Sequence, residues 1–485
     1  MALLSFLDRE HTIAPPGFNR WRVPPAALAI HLCIGQAYAF SVFNLPLSKL
    51  IGGTESAPGD WKLSTIGWVF SIAIVFLGLS AAVFGRWLEY VGPRRAMFAS
   101  ACCFSGGFLV GALGIATHQF WLLILGYGVL GGIGLGLGYI SPVSTLMKWF
   151  PDRPGMATGM AIMGFGGGAM LASPLAVRLM DFYRTPTAPG VWQTFVTMGL
   201  LYFCYMMLGV FTVRVPADGW KPAGWVRKPS SSMVTHANVT VNVAMRTPQF
   251  WLLWVVLCVN ITAGIGVLAQ ASPMIQEMFG ERISVSAAAG FVALLSLANM
   301  AGRFAWSSMS DLLGRKRTYF IFFTAGSLLY AAIPSLGHAQ NVVLFVVAFV
   351  LILTMYGGGF ATIPAYLKDM FGTMHVGAIH GRLLTAWSTA GVLGPVLVNY
   401  IREYQLEHGA AKSEAYSVTM YVMVGLLLLG FVANLLVRPV HERHHHVESP
   451  GPDSPIPSGV ARQIDAVLDT TTAPVLAGAG ARTDD

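Results

Sequence analysis

Charged side chains are scarce in this chain of 485 residues. Asp, Glu, Lys and Arg together make up 11% of it, whereas 55% of the residues are hydrophobic. A soluble globular domain carries about 25% charged residues, because its surface faces water. The scarcity of charge therefore excludes an ordinary soluble protein and predicts one that lies mostly within a lipid bilayer.

The sequence also lacks the motifs of enzymes and of metal sites. No Gly-x-Ser-x-Gly, His-Glu-x-x-His or Walker motif is present, and the glycine run 131–138 has no strand before it, as a dinucleotide-binding loop requires. The five cysteines fall in apolar segments without metal-ligand or disulfide spacing: Cys33, Cys102, Cys103, Cys204 and Cys258. We therefore expect no enzymatic activity, no cofactor and no metal centre.

Apolar runs of membrane length are what the sequence does contain. Twelve of them approach the roughly 20 residues that a helix needs to cross a bilayer. The runs are 25–47, 64–85, 96–116, 120–147, 156–181, 191–213, 250–275, 285–308, 318–336, 341–366, 376–401 and 416–437. They predict an all-α membrane protein with twelve transmembrane helices in two six-helix bundles, 25–213 and 250–437.

Polar segments flank and separate the two bundles. They are an N-terminal segment 1–24, a linker 214–249 and a tail 438–485, which its Pro, Gly, Asp and Thr content predicts to be disordered. Loops on the side of the termini hold most of the Lys and Arg, whereas the opposite loops hold only Lys49, Lys62, Arg184, Arg282, Arg402 and Lys412. Because cytoplasmic loops carry the basic excess, both termini are predicted to be cytoplasmic. The net charge of +8 then needs no nucleic-acid partner.

The two predicted bundles repeat each other. The first loop motif, after the second run, consists of Gly85, Glu89, Gly92, Arg94 and Arg95. The second loop motif follows the eighth run, 222 residues later, and consists of Asp311, Gly314, Arg315, Lys316 and Arg317. Gly138, Phe150 and Pro174 also recur as glycine, phenylalanine and proline at an offset of 221. Parallel repeats of six spans are typical of a carrier with its site between the halves.

These loop motifs resemble the signature of the major facilitator superfamily, over roughly residues 25–437. The resemblance implies that carboxylates and basic side chains at the helix ends latch one bundle against the other on the cytoplasmic side. A narrower resemblance is to the oxalate/formate antiporter family, and a more distant one to monocarboxylate porters. It rests on the segments 38–43, 134–139, 149–159, 299–306 and 385–395.

The narrower resemblance implies an anion site between the bundles. The family's arginine in the eighth span corresponds to Arg303, but the lysine of oxalate carriers corresponds to Trp387. Monocarboxylate porters pair the arginine with an aspartate four residues earlier, where this chain has Asn299. The two departures argue against oxalate as the substrate and against proton symport through such a pair.

Arg303 also stands out by its depth in the membrane. It precedes Asp311 by eight residues, which places it about 12 Å inside the loop. A charge at this depth costs at least about 2.5–3.5 kcal/mol and normally faces a cavity or a partner. With no acidic residue in the cores of the spans, an anionic substrate could supply the partner through bidentate hydrogen bonds. The alternative is that Arg303 snorkels to the headgroups or joins the loop latch.

Aromatic and amide side chains complete the candidate substrate site. Tyr38, Tyr139, Tyr356 and Trp387 exclude water yet offer OH or NH groups to a carboxylate. Packing or an interfacial belt is the alternative for each of them. Gln36 and Gln270 either add polar lining or hold neighbouring helices together.

The sequence thus predicts a secondary carrier of small organic anions in a bacterial inner membrane. One core cation favours monocarboxylates such as formate, lactate or pyruvate. An empty site would have to occlude an unpaired charge, which favours antiport. The alternatives are a proton-coupled monocarboxylate symporter and a proton-driven drug efflux carrier, so protons are a second candidate partner. Drug carriers generally need a carboxylate within a span.

Overall fold

The computed structural model describes residues 2–53, 55–186, 188–226, 233–235 and 237–446. Part of the predicted linker (227–232 and 236) and most of the predicted tail (447–485) lie outside these residues. Within the described residues the chain forms helices and loops, and its β-type pairings include two isolated bridges, Ile13 with Val215 and Thr185 with Ala188.

Twelve long helices follow one another in the described part of the chain. The first six are α1 (Arg20–Leu47), α2 (Leu63–Val91), α3 (Pro93–Ala116), α4 (Phe120–Trp149), α5 (Pro154–Tyr183) and α6 (Val191–Thr212). The other six are α7 (Pro248–Phe279), α8 (Val285–Leu313), α9 (Arg315–His338), α10 (Val342–Phe371), α11 (Val376–Glu407) and α12 (Ser417–Leu436). The predicted fold of twelve helices in two bundles is confirmed.

Eleven of these helices are long and apolar enough to cross a membrane over the described residues. The remaining one is α8, which carries Asn299, Arg303, Ser307, Ser310 and Asp311 within its 29 residues. Its polar side chains are the candidate functional residues. The predicted Arg303 site and the second loop motif therefore both draw on α8.

Local sequence sets where the helices begin and how they are wound. Pro93, Pro154 and Pro248 start helices, as a residue without an N–H group favours. Two helices depart from α geometry: α1 is wound as a 3-10 helix over Gly35–Phe43, and α4 as a π-helix over Ile124–Gly131. Such stretches are common at functional hinges.

The two bundles meet along two seams, α2 with α11 and α5 with α8. The α2–α11 seam is built from small residues: a Cβ added to Gly85 would lie 2.8 Å from Ala378 Cα, and one added to Gly78 would lie 2.8 Å from the Leu384 carbonyl oxygen. Gly381 of α11 approaches the backbone of Ala81 in the same way. Backbone-to-backbone approach of this kind is how membrane helices pack closely.

Both seams lie toward the face at which α1 begins and α12 ends, here called the termini face. The opposite face, at which α1 ends and α2 begins, is called the cavity face. The bundles are joined on the termini face and separated by a cavity on the other. The two bundles are therefore closed at one face and open at the other.

Candidate functional site

Arg303 lies between the two bundles and is fully buried. Its Nε donates to Asn299 Oδ1 at 3.2 Å, one turn earlier on α8, and its Nη1 donates to the Ile162 carbonyl oxygen of α5 at 3.2 Å. Nη2 has no hydrogen-bond partner. The guanidinium thus bridges the halves and keeps one free donor edge.

Aromatic rings surround this guanidinium in place of a carboxylate. Arg303 Cζ lies 5.7 Å from the ring centre of Phe165 and 5.3 Å from that of Phe360. Among the described residues, no Asp or Glu oxygen lies within 4.0 Å of it. Cation–π contacts offset part of the charge's burial but do not neutralise it. The side chain points between the bundles, not toward the outer surface that snorkelling would require.

A cavity of about 740 Å³ opens above Arg303 toward the cavity face. Tyr38, Gly166 and Asn299 form its deep end, and Gln270 and Asn399 line its wall. Gly166 and Asn299 also touch the arginine region, since a Cβ added to Gly166 would lie 3.7 Å from Arg303 Nε. The cavity therefore ends one layer of side chains above the guanidinium.

That layer is aromatic and contains contributions from both halves. Trp387 packs 4.4 Å from Phe360 and 5.4 Å from Phe165, ring centre to ring centre. Tyr38 packs 5.0 Å from Phe165, and its hydroxyl lies 3.5 Å from the Tyr356 hydroxyl across the interface. An anion coming from the cavity would have to pass these rings to reach Arg303.

The structure places the other predicted site residues at different depths. Tyr38 and Gln270 line the cavity, whereas Tyr139, Tyr356 and Trp387 are buried beneath it. The Tyr139 hydroxyl and Trp387 Nε1 lack hydrogen-bond partners.

The two predicted glutamines both contact neighbouring helices. Gln36 is buried away from the cavity and accepts from the Tyr127 hydroxyl of α4 at 2.9 Å. Gln270 donates to Asn399 of α11 at 2.6 Å while it lines the cavity. Gln36 thus holds neighbouring helices together, which was the alternative to lining the site. Gln270 has both predicted roles, because it lines the cavity and also joins α7 to α11.

The second loop motif joins the two halves. Asp311 accepts hydrogen bonds from the backbone N–H groups of Gly155 at 2.8 Å and Met156 at 2.9 Å, at the start of α5. Arg315 holds Asp311 at 2.6 Å and Asp369 at 3.0 Å. The carboxylate at a helix N-terminus is stabilised by the helix dipole, so this motif fastens α8 to α5 on the termini face.

The remaining residues of the second motif stay within their own half. Gly314 ends α8 with φ +85°, a conformation that only glycine adopts readily. Lys316 donates to the carbonyl oxygens of Leu435 and Val437 at the end of α12, at 2.8 and 2.7 Å. Arg317 is exposed.

The first loop motif makes its polar contacts within its own half. Glu89 pairs with Lys148 of α4 at 3.1 Å. Arg94 donates to the carbonyl oxygens of Phe6 and Val213, and Arg95 pairs with Asp8, so both arginines hold the N-terminal segment. Gly92 ends α2 with φ +83°, and Gly85 packs against Ala378 in the seam.

Three further residues of the site were not predicted as such from the sequence. Phe165 and Phe360 cover Arg303, and Ser388 of α11 donates to the Ile74 carbonyl oxygen of α2 at 2.9 Å. A phenylalanine within an apolar run gives no signal of its own. The signal for Ser388 was its place in segment 385–395.

Two helical bundles around a central cavity, joined at one face and separated at the other, define a membrane carrier and not an enzyme. The family comparison gives this class a name. The chain belongs to the Major Facilitator Superfamily, whose family model matches residues 26–395 and, in a second match, 282–479.

Curated relatives include carriers of small carboxylates. The chain is 26% identical to the oxalate:formate antiporter of Oxalobacter formigenes over 78% of its own length and 83% of the relative's. It is 24% identical to apicoplast pyruvate carrier 1 of Toxoplasma gondii, over 67% and 68% of the two chains. It is also 27% identical to the uncharacterized transporter YhjX of Escherichia coli, over 75% and 83%.

Solved structures share the fold at low identity. The proton:xylose symporter XylE is 14% identical with a TM-score of 0.63, covering 86% of this chain and 96% of that one. The transporter FucP in the outward conformation is 11% identical with a TM-score of 0.60, covering 86% and 100%. These likenesses confirm the architecture.

Proposed function

We propose that this protein is a secondary active transporter of small organic anions, chiefly monocarboxylates, that works by alternating access around Arg303. The observation that carries the proposal is the buried guanidinium with a free Nη2 and no carboxylate partner within the described residues. A buried charge without a counter-ion is unfavourable. A carboxylate that reaches Arg303 would neutralise it and pair with the free donor edge.

Charge matching favours one carboxylate per substrate. Arg303 is the basic residue of the aromatic layer, and its partners Asn299 and Ile162 are neutral. Ala81 occupies the position of α2 that is equivalent to Arg303 of α8 in the repeat, so the first half supplies no second cation there. Formate, lactate and pyruvate are therefore the expected substrates, consistent with the carboxylate carriers among the relatives.

Exchange is the expected mode of transport. The empty carrier must move Arg303 between its two states without a counter-ion, whereas the loaded carrier moves a neutral pair. The loaded transition is therefore the faster one, and uptake should depend on anion on the opposite side. We further propose that the termini face is cytoplasmic in a bacterial inner membrane, because its loops carry the excess of Lys and Arg.

Proteoliposomes test this function directly. Purified protein would be reconstituted into vesicles loaded with unlabelled formate, lactate or pyruvate, and uptake of the same labelled anion would be followed. We expect loaded vesicles to take up label and empty vesicles to take up little. The change Arg303→Gln should reduce exchange by about 30-fold or more, because truncating one partner of a buried charge pair costs about 2–5 kcal/mol.

The matched control is Arg184→Gln, which removes an exposed arginine at the cavity face. It should retain full exchange. Full exchange by Arg303→Gln at normal expression and thermal stability would refute the proposed site.

A further inference from the structure

Two fully buried histidines lie beneath the aromatic layer, one from each half. His31 of α1 has its ring centre 5.4 Å from that of Tyr139, and His380 of α11 has its ring centre 5.8 Å from the same ring. Both histidines are 0% exposed. They therefore flank one tyrosine in the middle of the interface between the bundles.

The two imidazoles differ in their polar contacts. Both ring nitrogens of His380 lack a hydrogen-bond partner, whereas the His31 ring lies against the carbonyl oxygens of Tyr139 and Ala161. Buried polar atoms in native proteins nearly always have a partner, and exceptions need an explanation such as a ligand or ion. The two unpartnered ring nitrogens of His380 indicate that this histidine acquires a partner during the transport cycle.

The same cluster contains two other hydrogen-bond donors without a partner. Trp387 lies 5.4 Å from Tyr139, and its Nε1, like the Tyr139 hydroxyl, is unpartnered. The charge of Arg303 acts on both His31 and Tyr139. His31 and the Tyr139 ring thus lie within range of the charge of Arg303, and His380 is linked to them through its contact with Tyr139.

The groups that could compete for a proton here are few. Around the pair, the titratable and charged side chains include Arg303 of α8, Tyr38 of α1, Tyr139 and Lys148 of α4, Glu89 of α2, Tyr356 and Tyr366 of α10, Tyr319 of α9, and Arg382 of α11. Glu89 is held by Lys148, and Arg382 donates to Asn242 of the linker. Of these side-chain types, imidazole is the one that exchanges protons near neutral pH in water, so the two histidines are the candidates for binding a proton here.

The net charge of Arg303 and its bound substrate indicates a role for the two histidines. A monocarboxylate leaves no net charge on Arg303, so neutral imidazoles suffice. A dicarboxylate leaves one negative charge in a buried, weakly polar site, and a histidine that takes up a proton would cancel it. Protonation of an imidazole beside Arg303 is unfavourable in the empty site because two positive charges repel each other.

We propose that His380, assisted by His31, is a proton-binding site that becomes positively charged only when a dicarboxylate occupies the site at Arg303. This inference rests on the proposed function. The proton adds to the lone pair of an imidazole nitrogen as the dianion binds, and it leaves to water when the dianion is released on the other side. Dicarboxylates are then carried together with one proton, and monocarboxylates without one.

The wild-type protein provides the first test. Saturating formate or oxalate would be added to purified protein in weakly buffered solution at pH 7 with a pH indicator. Both probes stay ionised there, since their carboxyl groups titrate at about pH 4 or below. Oxalate should withdraw about one proton per protein and formate none. Oxalate binding without proton uptake would overturn the inference and leave the proposed function intact, whereas failure of both anions to bind would overturn both.

Variants provide the second test, by competition against formate exchange in proteoliposomes. In the wild type, the oxalate concentration for half-inhibition should fall by up to about tenfold per pH unit between pH 8 and pH 6, because one proton is bound with the anion. His380→Gln should abolish this dependence while formate exchange persists, and His31→Gln should weaken it. The exposed His338→Gln is the matched control and should behave as the wild type.

Two results with these variants would overturn the inference. One is an unchanged pH dependence in both His380→Gln and His31→Gln. The other is a folded His380→Gln protein that no longer binds formate, because the histidine would then be a permanent substrate ligand. The proton-uptake measurement decides the matter even if a variant fails to fold.

Discussion

The two loop motifs share a sequence pattern, but their carboxylates make different contacts. In the second motif, Asp311 reaches the start of α5 in the other half. In the first motif, Glu89 Oε1 faces the equivalent start of α11, 2.7 Å from the position that a Cβ on Gly377 would take, yet it has no hydrogen-bond partner. A repeated motif therefore does not guarantee a repeated contact.

The difference arises from the neighbours of each carboxylate. The offset of 221 that relates α4 to α10 puts Lys148 where the second half has Asp369, and the offset of 222 puts Pro93 where it has Arg315. Lys148 holds Glu89 within the first half. Arg315 is shared between Asp311 and Asp369, so Asp311 can still accept from the helix N-terminus. The charged residues next to each carboxylate therefore decide which motif joins the halves.

The largest expected effect comes from breaking the motif that joins the halves. Asp311→Asn removes the charged cap of α5 and leaves Arg315 with one carboxylate. We expect closure of the termini face to weaken by about 2–3 kcal/mol, since a buried charged pair and a helix cap are lost together. The measurement uses Ser144→Cys, which places a thiol at a buried position on α4 near Gly377. The rate at which a thiol-specific reagent labels this cysteine should rise by about 30-fold or more.

The matched change in the other motif is Glu89→Gln, tested in the same Ser144→Cys background. Because Glu89 makes no hydrogen bond across the halves, its effect should be less than about 1 kcal/mol, the usual value of a partly exposed ion pair. Equal labelling rates for Asp311→Asn and Glu89→Gln would show that the two motifs contribute equally to closure of the termini face.

The second comparison between the halves concerns Arg303, which has no charged equivalent in α2. Asn299→Asp would give Arg303 a permanent counter-ion at the atom that now accepts from Nε. Exchange of monocarboxylates should fall about tenfold or more at neutral pH and recover partly in acid, as protonation of the new aspartate frees the guanidinium. Asn399→Asp, at the cavity wall, is the control. Undiminished exchange at neutral pH by Asn299→Asp would contradict the role of an unpaired charge.

A smaller effect should follow from making the first motif resemble the second. Lys148→Ala releases Glu89, whose Oε1 already faces Gly377, to accept from the N-terminus of α11. Closure of the termini face should then strengthen by about 0.5–1 kcal/mol, the value of a carboxylate at an exposed helix N-terminus. The Ser144→Cys labelling rate should fall by about twofold to fivefold, and faster labelling would show that Lys148 itself supports closure.

The smallest effect is expected in the loop between α1 and α2, which is longer than the equivalent loop of the second half. Asp60 accepts hydrogen bonds from the backbone of Ile51, Gly52 and Ala57 at 2.8, 3.2 and 2.8 Å. Desolvation acts to raise the pKa of Asp60, but these three donors outweigh it, so the pKa lies below its usual 3.8. The stabilisation is therefore present above the ordinary pKa and is lost as the pH falls through the lowered value. Asp60→Asn should lower Tm slightly at pH 7, and an equal loss below pH 3 would contradict this assignment.

Hydropathy and the repeat predicted the fold well, because membrane helices must satisfy their backbone internally over a fixed thickness. The start of α11 was predicted at 376 and lies at Val376, and the start of α6 was predicted at 191 and lies at Val191. Helix ends were predicted less well: α2 runs on to Val91 and α8 to Leu313, because polar residues of the termini-face seams continue the helices beyond the apolar runs.

The site was predicted in part. The depth of Arg303 follows from counting residues, but its contacts with Ile162 and Phe165 depend on how α5 crosses α8, which the sequence does not encode locally. His380 is only four residues from the start of α11, where exposure to water is expected. It is buried because the α2–α11 seam covers it, which is a property of the closed termini face and not of the helix.

The seam of small residues between α2 and α11 bears on the speed of the transport cycle. Gly78, Gly85 and Gly381 present backbone to the opposing helix, so few side chains interlock there. Parting two such surfaces requires few rotamer changes, which keeps this part of the activation barrier low. A single added methyl group at Gly381 would lie 2.1 Å from the Ala81 carbonyl oxygen, so the two helices could no longer approach each other as closely there.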